Sequence, residues 1–288
     1  MRIQLSHTFN EIISLDNLLS AWEQFIRGKR NKRDVQLFSR HLAERITVLH
    51  DSLASKQYKH GGYYAFSITD PKPRSIHKAT VQDRVLHHAV YTLLYPFFDN
   101  VFIYDSYSCR EEKGTHKALE RFKEFSFKVS RNHIRTCWVL KCDIRKFFAS
   151  VDQPVLLGIL STYIRDNSIL WLLKEIITSF QSLAPGKGLP LGNLTSQLLV
   201  NVYMHEFDYY VKHFLKAKYY IRYADDFVLL SQQSVAGRTN SQDRTFSRRG
   251  AVFELASRQG IYSLTRLRCG LSWVGELSGS SSIAFCYT

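Results

Sequence analysis

Two apolar segments joined by a pair of acidic residues constrain the fold of this chain more than any other feature. Tyr219–Tyr223 and Phe227–Leu230 are near-continuous apolar stretches, which predicts two buried strands joined across Ala224, Asp225 and Asp226. An acidic pair in a turn is usually turn chemistry at a solvated tip. Burying carboxylates beside apolar strands costs free energy unless cations or hydrogen-bond donors compensate for it. We therefore predict that the hairpin tip is a functional site.

A third carboxylate ends another predicted strand. Cys137–Asp143 contains the apolar run Trp-Val-Leu and finishes on Asp143. Nucleotidyl transfer needs two hard divalent cations, and their carboxylate ligands must come from more than one strand. Strands packed side by side would bring Asp143 close to Asp225 and Asp226. The sequence therefore predicts a metal-binding, catalytic cluster of these three residues.

The remaining pattern predicts a mixture of helices and strands. Apolar residues recur at helical spacing over Glu11–Phe25 and Val35–Leu53, and Tyr63–Ile68 is typical of a short strand. Arg74 is expected in a loop, and Arg84 on the helix that follows it. The further helices are predicted over Thr80–Phe98, Pro154–Ile164, Ser168–Phe180 and Asn193–Leu215.

Composition favours a nucleic-acid partner and an intracellular location. The 288 residues carry a formal net charge of +14, with basic residues scattered along the chain, although a basic protein without such a ligand would look similar. The five cysteines form no Cys-x-x-Cys pair, which fits a reducing cytoplasm. There is no apolar run of bilayer length, and Met1–Asn10 does not resemble a secretory signal. We expect a cytoplasmic protein.

The chain changes character after Ser231. Residues 232–288 contain no lysine or histidine, and serine and glycine become frequent. The pattern predicts no fold for this tail. It looks like a frameshifted or recombined end, or a divergent replacement of the usual one.

The motifs resemble those of reverse transcriptases. Tyr223–Asp226 matches the family's Tyr-x-Asp-Asp signature, and Asp143–Phe148 resembles its first catalytic motif. Gly188–Gln197 looks like the family's segment that lines the nucleotide and template pocket. This form most resembles bacterial diversity-generating retroelement enzymes, whereas group II intron enzymes usually carry a Pro-Gln-Gly form. Three upstream segments are similar to the family's fingers: Pro73–His77, Thr80–Arg84 and Asp105–Arg110.

The resemblance covers roughly Tyr63–Ser231 and implies an α+β, right-hand polymerase with fingers and a ferredoxin-like palm. Residues 1–136 would form N-terminal helices and fingers, residues 137–231 the palm, and residues 232–288 a tail in which the thumb is absent or divergent. The implied activity is RNA-templated DNA synthesis from dNTPs onto a primer 3′-hydroxyl. The implied cofactors are two Mg²⁺ ions, with Mn²⁺ as an alternative. The partners would be an RNA template, a DNA or RNA primer and an accessory protein.

The resemblance also implies roles for the metal ligands. Asp143 and Asp225 would bridge the two ions, Asp226 would contribute less directly, and the backbone carbonyl of Ile144 would complete a coordination shell. The chemistry would be positioning and charge stabilisation without a protein nucleophile.

Five residues besides the three aspartates are expected to contribute to nucleotide binding: Arg74, Arg84, Ile144, Phe148 and Gln197. Arg74 and Arg84, helped by Lys72, would grip the triphosphate, although each arginine could be a solvated surface charge. Phe148 matches the aromatic position that excludes a ribose 2′-hydroxyl, and ordinary core packing would explain it equally. Gln197 could bind template or nucleotide, or be a helix-surface amide.

Three other functions stay open on the sequence. One is a polymerase that makes RNA or untemplated DNA, against which Phe148 favours deoxynucleotides. Another is a truncated, catalytically weak remnant that only binds nucleic acid. The last is an unrelated globular protein with accidental motif matches. Replacing Asp225 and Asp226 by Asn would abolish synthesis in an enzyme and leave simple binding largely intact.

Overall fold

The computed structural model of the chain describes residues 2–69, 73–144, 146–182 and 184–232. Within these ranges the chain forms both helices and strands, as the sequence predicts. The helices are α1 (Phe9–Ile13), α2 (Leu15–Phe25), α3 (Arg33–Ser39), α4 (Leu42–Ala54), α5 (Val81–Val101), α6 (Thr115–Val129), α7 (Phe147–Ser150), α8 (Gln153–Ser161), α9 (Asn167–Thr178) and α10 (Leu194–Tyr209). The strands are β1 (Tyr63–Ile68), β2 (Arg74–Ala79), β3 (Trp138–Cys142), β4 (Tyr220–Tyr223) and β5 (Asp226–Ser231).

Two of the predicted helices are each broken into two. Ser14 has extended backbone angles (φ −53°, ψ 143°), and its hydroxyl accepts a hydrogen bond from the backbone N–H of Asn17, so it ends α1 and caps α2. His41, with φ −122° and ψ 32°, separates α3 from α4. Apolar periodicity continues across both breaks, which is why the sequence predicted single helices.

The predicted helix Asn193–Leu215 also changes form along its length. It is α-helical as α10 and then continues as a π-helical turn, Tyr210–Phe214. The apolar pattern predicted one helix because it does not distinguish an α-helix from a short π-helical turn with i→i+5 hydrogen bonds.

A two-stranded antiparallel sheet corrects the prediction that Arg74 lies in a loop. Arg74 begins β2 and pairs with Ile68, the last residue of β1. The β2 residues are mostly exposed or half-buried, and such a strand leaves only a weak apolar signal.

A second, three-stranded sheet carries the acidic residues. Its strand order is β3-β5-β4, and both pairings are antiparallel. The central strand is β5, which explains the near-continuous apolar sequence around it. Helix α6, which the sequence analysis missed, packs against β4 and β5. The core there comprises Tyr107, Ala118, Phe122, Phe125, Val129, Cys137, Val139, Ile221, Val228 and Leu230.

The chain separates into two compact units. Among the described residues, the first contains 2–69, 73–101, 148–182 and 184–203, and the second contains 102–144, 146–147 and 204–232. The functional division into fingers (1–136) and palm (137–231) stays a prediction, and the tail 233–288 lies outside the described residues. In the part of the chain that is described, no helix combines the length and hydrophobicity needed to cross a bilayer.

Candidate metal centre

The hairpin between β4 and β5 has a two-residue loop. Tyr223 pairs with Asp226, so Ala224 and Asp225 form the turn. Ala224 has a left-handed φ of 54°, whereas Asp225 does not have a positive φ. Two-residue hairpin loops often require such an angle because it matches the twist of the flanking strands. An alanine in this conformation is strained by roughly 1 kcal/mol, so neighbouring contacts must hold the turn.

Strand pairing brings the third carboxylate to the same end of the sheet. Cys142 of β3 pairs with Phe227 of β5 in antiparallel register. Asp143 follows Cys142, and Asp226 precedes Phe227, so both lie where these two strands meet the hairpin tip. One carboxylate oxygen from each of Asp143, Asp225 and Asp226 lies within 4.8 Å of the other two. This juxtaposition was expected from the sequence.

The chemistry of these donors fits hard divalent cations. All three ligands are carboxylate oxygens, which Mg²⁺ and Mn²⁺ prefer over nitrogen or sulfur donors. Asp143 is exposed, and Asp225 and Asp226 are half-buried, so a cation could enter from solvent. Lys141 Nζ lies 4.0 Å from Asp226 Oδ1. Among the described residues, Lys141 can offset one of the three negative charges, and carboxylates gathered at one place attract divalent cations.

Behind the hairpin tip lies a buried polar network centred on Arg222, a residue of β4. The Arg222 Nε and Nη2 atoms donate to the Asp208 carboxylate at 2.8–3.0 Å, and Tyr220 Oη donates to Asp208 Oδ1 at 2.6 Å. Arg222 Nη2 also donates to Ser106 Oγ, and Nη1 donates to the Ala224 carbonyl at 2.9 Å. Arg222 and Asp208 are both fully buried.

Charges within this network shift the pKa values of its members. Burial opposes the Arg222 charge, but Asp208 outweighs that effect and raises the pKa of the guanidinium. Burial and the adjacent Asp208 carboxylate also raise the pKa of Tyr220 well above its ordinary value. The Arg222 guanidinium therefore keeps its charge, and the Tyr220 phenol keeps its proton.

The arginines expected to bind triphosphate belong to the first unit. Arg74 is exposed at the start of β2. Arg84 Nη2 donates to Asp34 Oδ2 at 2.7 Å, and its guanidinium lies 4.8 Å from the centre of the Phe25 ring. Lys72 lies outside the described residues. Arg84 thus has a structural partner, and a nucleotide-binding role for either arginine stays a prediction.

The other expected nucleotide contacts differ in exposure. Phe148 is half-buried, and Gln197 is exposed on α10. Both belong to the first unit. Ile144 lies in the second unit, with its side chain buried directly after Asp143. Their roles at the site stay predictions.

Three charged residues around the acidic cluster were not predicted from the sequence: Lys141, Asp208 and Arg222. The sequence did contain a signal for Arg222, because a charged residue within an apolar strand implies a buried partner. Its partner Asp208 precedes it by 14 residues on α10, a separation that no local pattern could have identified. Lys141 precedes Asp143 by two residues in the predicted strand Cys137–Asp143. Residues two apart in a strand lie on the same face, so this spacing was a usable signal.

Comparison with known proteins gives the class to which this fold and site belong. Residues 62–247, well over half of the chain, match the model of the family "Reverse transcriptase (RNA-dependent DNA polymerase)". The chain therefore belongs to the reverse transcriptase family.

Individual relatives include intron-encoded proteins. The chain is similar to the group II intron-encoded protein LtrA of Lactococcus lactis subsp. cremoris, with 28% identity over 153 residues, or 51% of this chain and 24% of LtrA. It is similar to protein YkfC of Escherichia coli, with 25% identity over 229 residues, or 66% of this chain and 59% of YkfC. The chain thus spans about a quarter of LtrA and less than two thirds of YkfC.

A solved structure shows the same fold. A chain of a partial Cas6-RT-Cas1–Cas2 complex matches with a TM-score of 0.53 and 22% identity, covering 79% of this chain and 39% of that one. The relatives support the group II intron-like part of the family prediction. The preference for the diversity-generating class, and the fingers and palm as such, stay predictions.

Proposed function

We propose that this chain is a reverse transcriptase that extends a primer 3′-hydroxyl with dNTPs on an RNA template. The observation that carries the proposal is the convergence of Asp143, Asp225 and Asp226 within 4.8 Å, in a chain of the reverse transcriptase family. In this interpretation residues 137–231 supply the palm with the catalytic carboxylates, and residues 1–136 contribute the fingers.

The chain's own residues would act mainly by holding and orienting. Asp143 and Asp225 would each reach both metal sites, Asp226 would support one of them, and the Ile144 carbonyl would add a further oxygen ligand. Two bound Mg²⁺ ions would lower the pKa of the attacking hydroxyl and offset charge on the departing pyrophosphate. Lys141, close to Asp226, would limit repulsion among the carboxylates before cations bind.

Recognition of the nucleotide would come from Arg74, Arg84, Phe148 and Gln197. Arg74 is exposed, so its guanidinium could pair with phosphate oxygens. Arg84 and Lys78 both contact Asp34 Oδ2, each at 2.7 Å. Lys78 could therefore keep its ion pair with Asp34 if Arg84 turned to bind a phosphate. Phe148 would exclude a ribose 2′-hydroxyl, and Gln197 would contact the template or the nucleotide.

Primer extension tests the proposal. Wild-type protein is given an RNA template, a DNA primer, dNTPs and Mg²⁺, beside the Asp225→Asn, Asp226→Asn variant and the control Asp51→Asn on the exposed face of α4. We expect extension by wild type and by Asp51→Asn. The double variant should lose at least about 10³-fold in rate, because its charge stabilisation is removed.

A second function has its own supporting observation. The net charge of +14 would by itself bind RNA, so a catalytically weak, nucleic-acid-binding remnant is the alternative. If no protein extends the primer and all three bind RNA with equal, salt-sensitive affinity, the remnant is correct and the polymerase proposal is wrong. Equal extension by wild type and the double variant would also overturn the proposal, because the carboxylates would then be dispensable.

A further inference from the structure

The turn that presents Asp225 and Asp226 has a strained backbone. Ala224, with φ 54°, adopts a conformation in which glycine is the more common residue. Such a turn persists only where surrounding contacts hold it. The hydrogen bond from Arg222 Nη1 to the Ala224 carbonyl, 2.9 Å long, is a contact of this kind.

Arg222 is itself fixed on its other edges. Asp208 binds its Nε and Nη2 atoms side-on, Ser106 Oγ accepts from Nη2, and the backbone N–H of Arg222 donates to the carbonyl of Asp105. The guanidinium is planar and lies in a fully buried position, so fixing one edge also fixes the direction of the others. The donor aimed at Ala224 is thus placed by contacts on two neighbouring segments.

We infer that Arg222 is a positioning residue, which holds the Ala224 carbonyl and thereby sets where Asp225 and Asp226 present their carboxylates to divalent cations. Asp208 is the residue that orients Arg222. This inference rests on the proposed function only in assuming that the carboxylates bind cations. Lysine cannot replace Arg222, because a single ammonium cannot bind Asp208 side-on and reach Ala224 together.

Binding of Mn²⁺ to the whole chain tests the inference without requiring catalysis. Electron paramagnetic resonance measures free Mn²⁺ for wild type, Arg222→Lys and the control Tyr220→Phe. The control loses a buried hydrogen bond to the same Asp208 but keeps the bond to Ala224. We expect Arg222→Lys to weaken Mn²⁺ binding about 10- to 100-fold, as is typical when a residue that orients metal ligands is lost.

The control separates positioning from general stability. Tyr220→Phe should bind Mn²⁺ nearly as tightly as wild type, although its unfolding midpoint falls. If Arg222→Lys binds Mn²⁺ like wild type, or if both variants weaken binding equally, the inference is overturned. In extension assays Arg222→Lys should lower kcat more than it raises KM for dNTP, because the change affects the reacting centre rather than nucleotide capture.

A second variant covers the case in which Arg222→Lys does not fold. Arg222→Met combined with Asp208→Leu, Tyr220→Phe and Ser106→Ala removes the whole network and leaves no unpaired buried charge, a replacement that proteins often tolerate. Circular dichroism should show a folded protein that still binds Mn²⁺ about 10-fold or more weakly. A folded quadruple variant with wild-type Mn²⁺ affinity would refute the positioning role.

The two proposals fail in different ways. Wild type that binds Mn²⁺, with weaker binding in Arg222→Lys, upholds the positioning role even if no primer is extended. If wild type extends the primer and both Arg222 variants bind Mn²⁺ as tightly as wild type, the polymerase proposal stands and the positioning role is overturned.

Discussion

Asp208 and the acidic cluster belong to the same unit, but they differ in burial and in the charges that surround them. Asp208 is fully buried and accepts hydrogen bonds from Tyr220 and from two nitrogens of Arg222. Asp143, Asp225 and Asp226 bring three carboxylates within 4.8 Å of one another at an accessible edge, with Lys141 4.0 Å from Asp226. At Asp208 a negative charge is paired with the positive charge of Arg222, whereas the acidic cluster brings three negative charges together.

The difference shows which carboxylate supports the fold and which is available for a ligand. A buried carboxylate that has a matched partner cannot lose its charge without leaving an unbalanced arginine. A cluster of like charges is unfavourable until a cation binds, and functional sites often carry such local instability. The same Asp→Asn change should therefore have opposite effects on stability at the two places.

The largest expected effect is at Asp208. Asp208→Asn should lower the free energy of unfolding by about 3 kcal/mol, the lower part of the range for a broken buried pair, because Asn still accepts one hydrogen bond. Urea unfolding followed by circular dichroism in EDTA measures the loss. The exposed control Asp51→Asn should change stability by less than about 0.5 kcal/mol. A loss no greater than that of the control would mean that the pair does not support the fold.

The second effect is stabilisation by metal. Mg²⁺ at about 100 times its dissociation constant should raise the free energy of unfolding of wild type by about 2.7 kcal/mol, because the ion binds only the folded site. The Asp225→Asn, Asp226→Asn variant should gain little. Unfolding in Mg²⁺ and in EDTA gives both values. Equal stabilisation of the two proteins would place Mg²⁺ elsewhere on the chain.

Local sequence patterns were sufficient to predict that three carboxylates converge. The apolar flanks of β4 and β5 predicted a hairpin with Asp225 and Asp226 at its tip, whereas in the structure Asp225 lies in the turn and Asp226 begins β5. The run ending at Asp143 predicted the strand beside it. Antiparallel pairing then leaves few ways to arrange three short strands, so convergence followed from the pattern. Each end of these strands lies within one residue of its predicted position.

Other parts of the fold could not be predicted so readily. The break at Ser14 depends on a side-chain cap, which competes with a helical period that continues through it. Helix α6 could have been predicted, because its buried apolar residues recur at helical spacing: Ala118, Phe122, Phe125 and Val129. The Asp208–Arg222 pair joins distant segments by tertiary packing, and a single sequence gives no sign of which acid an arginine will meet.

The smallest effect, at Asp143, tests the comparison most directly. In EDTA, Asp143→Asn should raise the free energy of unfolding by about 0.5 kcal/mol, because it removes one like charge from an exposed cluster in which close charges interact by about 1 kcal/mol in water. In Mg²⁺ the order should reverse, since wild type gains the energy of metal binding and the variant loses a ligand. Parallel urea titrations in EDTA and Mg²⁺ measure this change of sign. A variant that is less stable than wild type by the same amount in both solutions would show that Asp143 serves packing or hydrogen bonding, as Asp208 does, rather than cations.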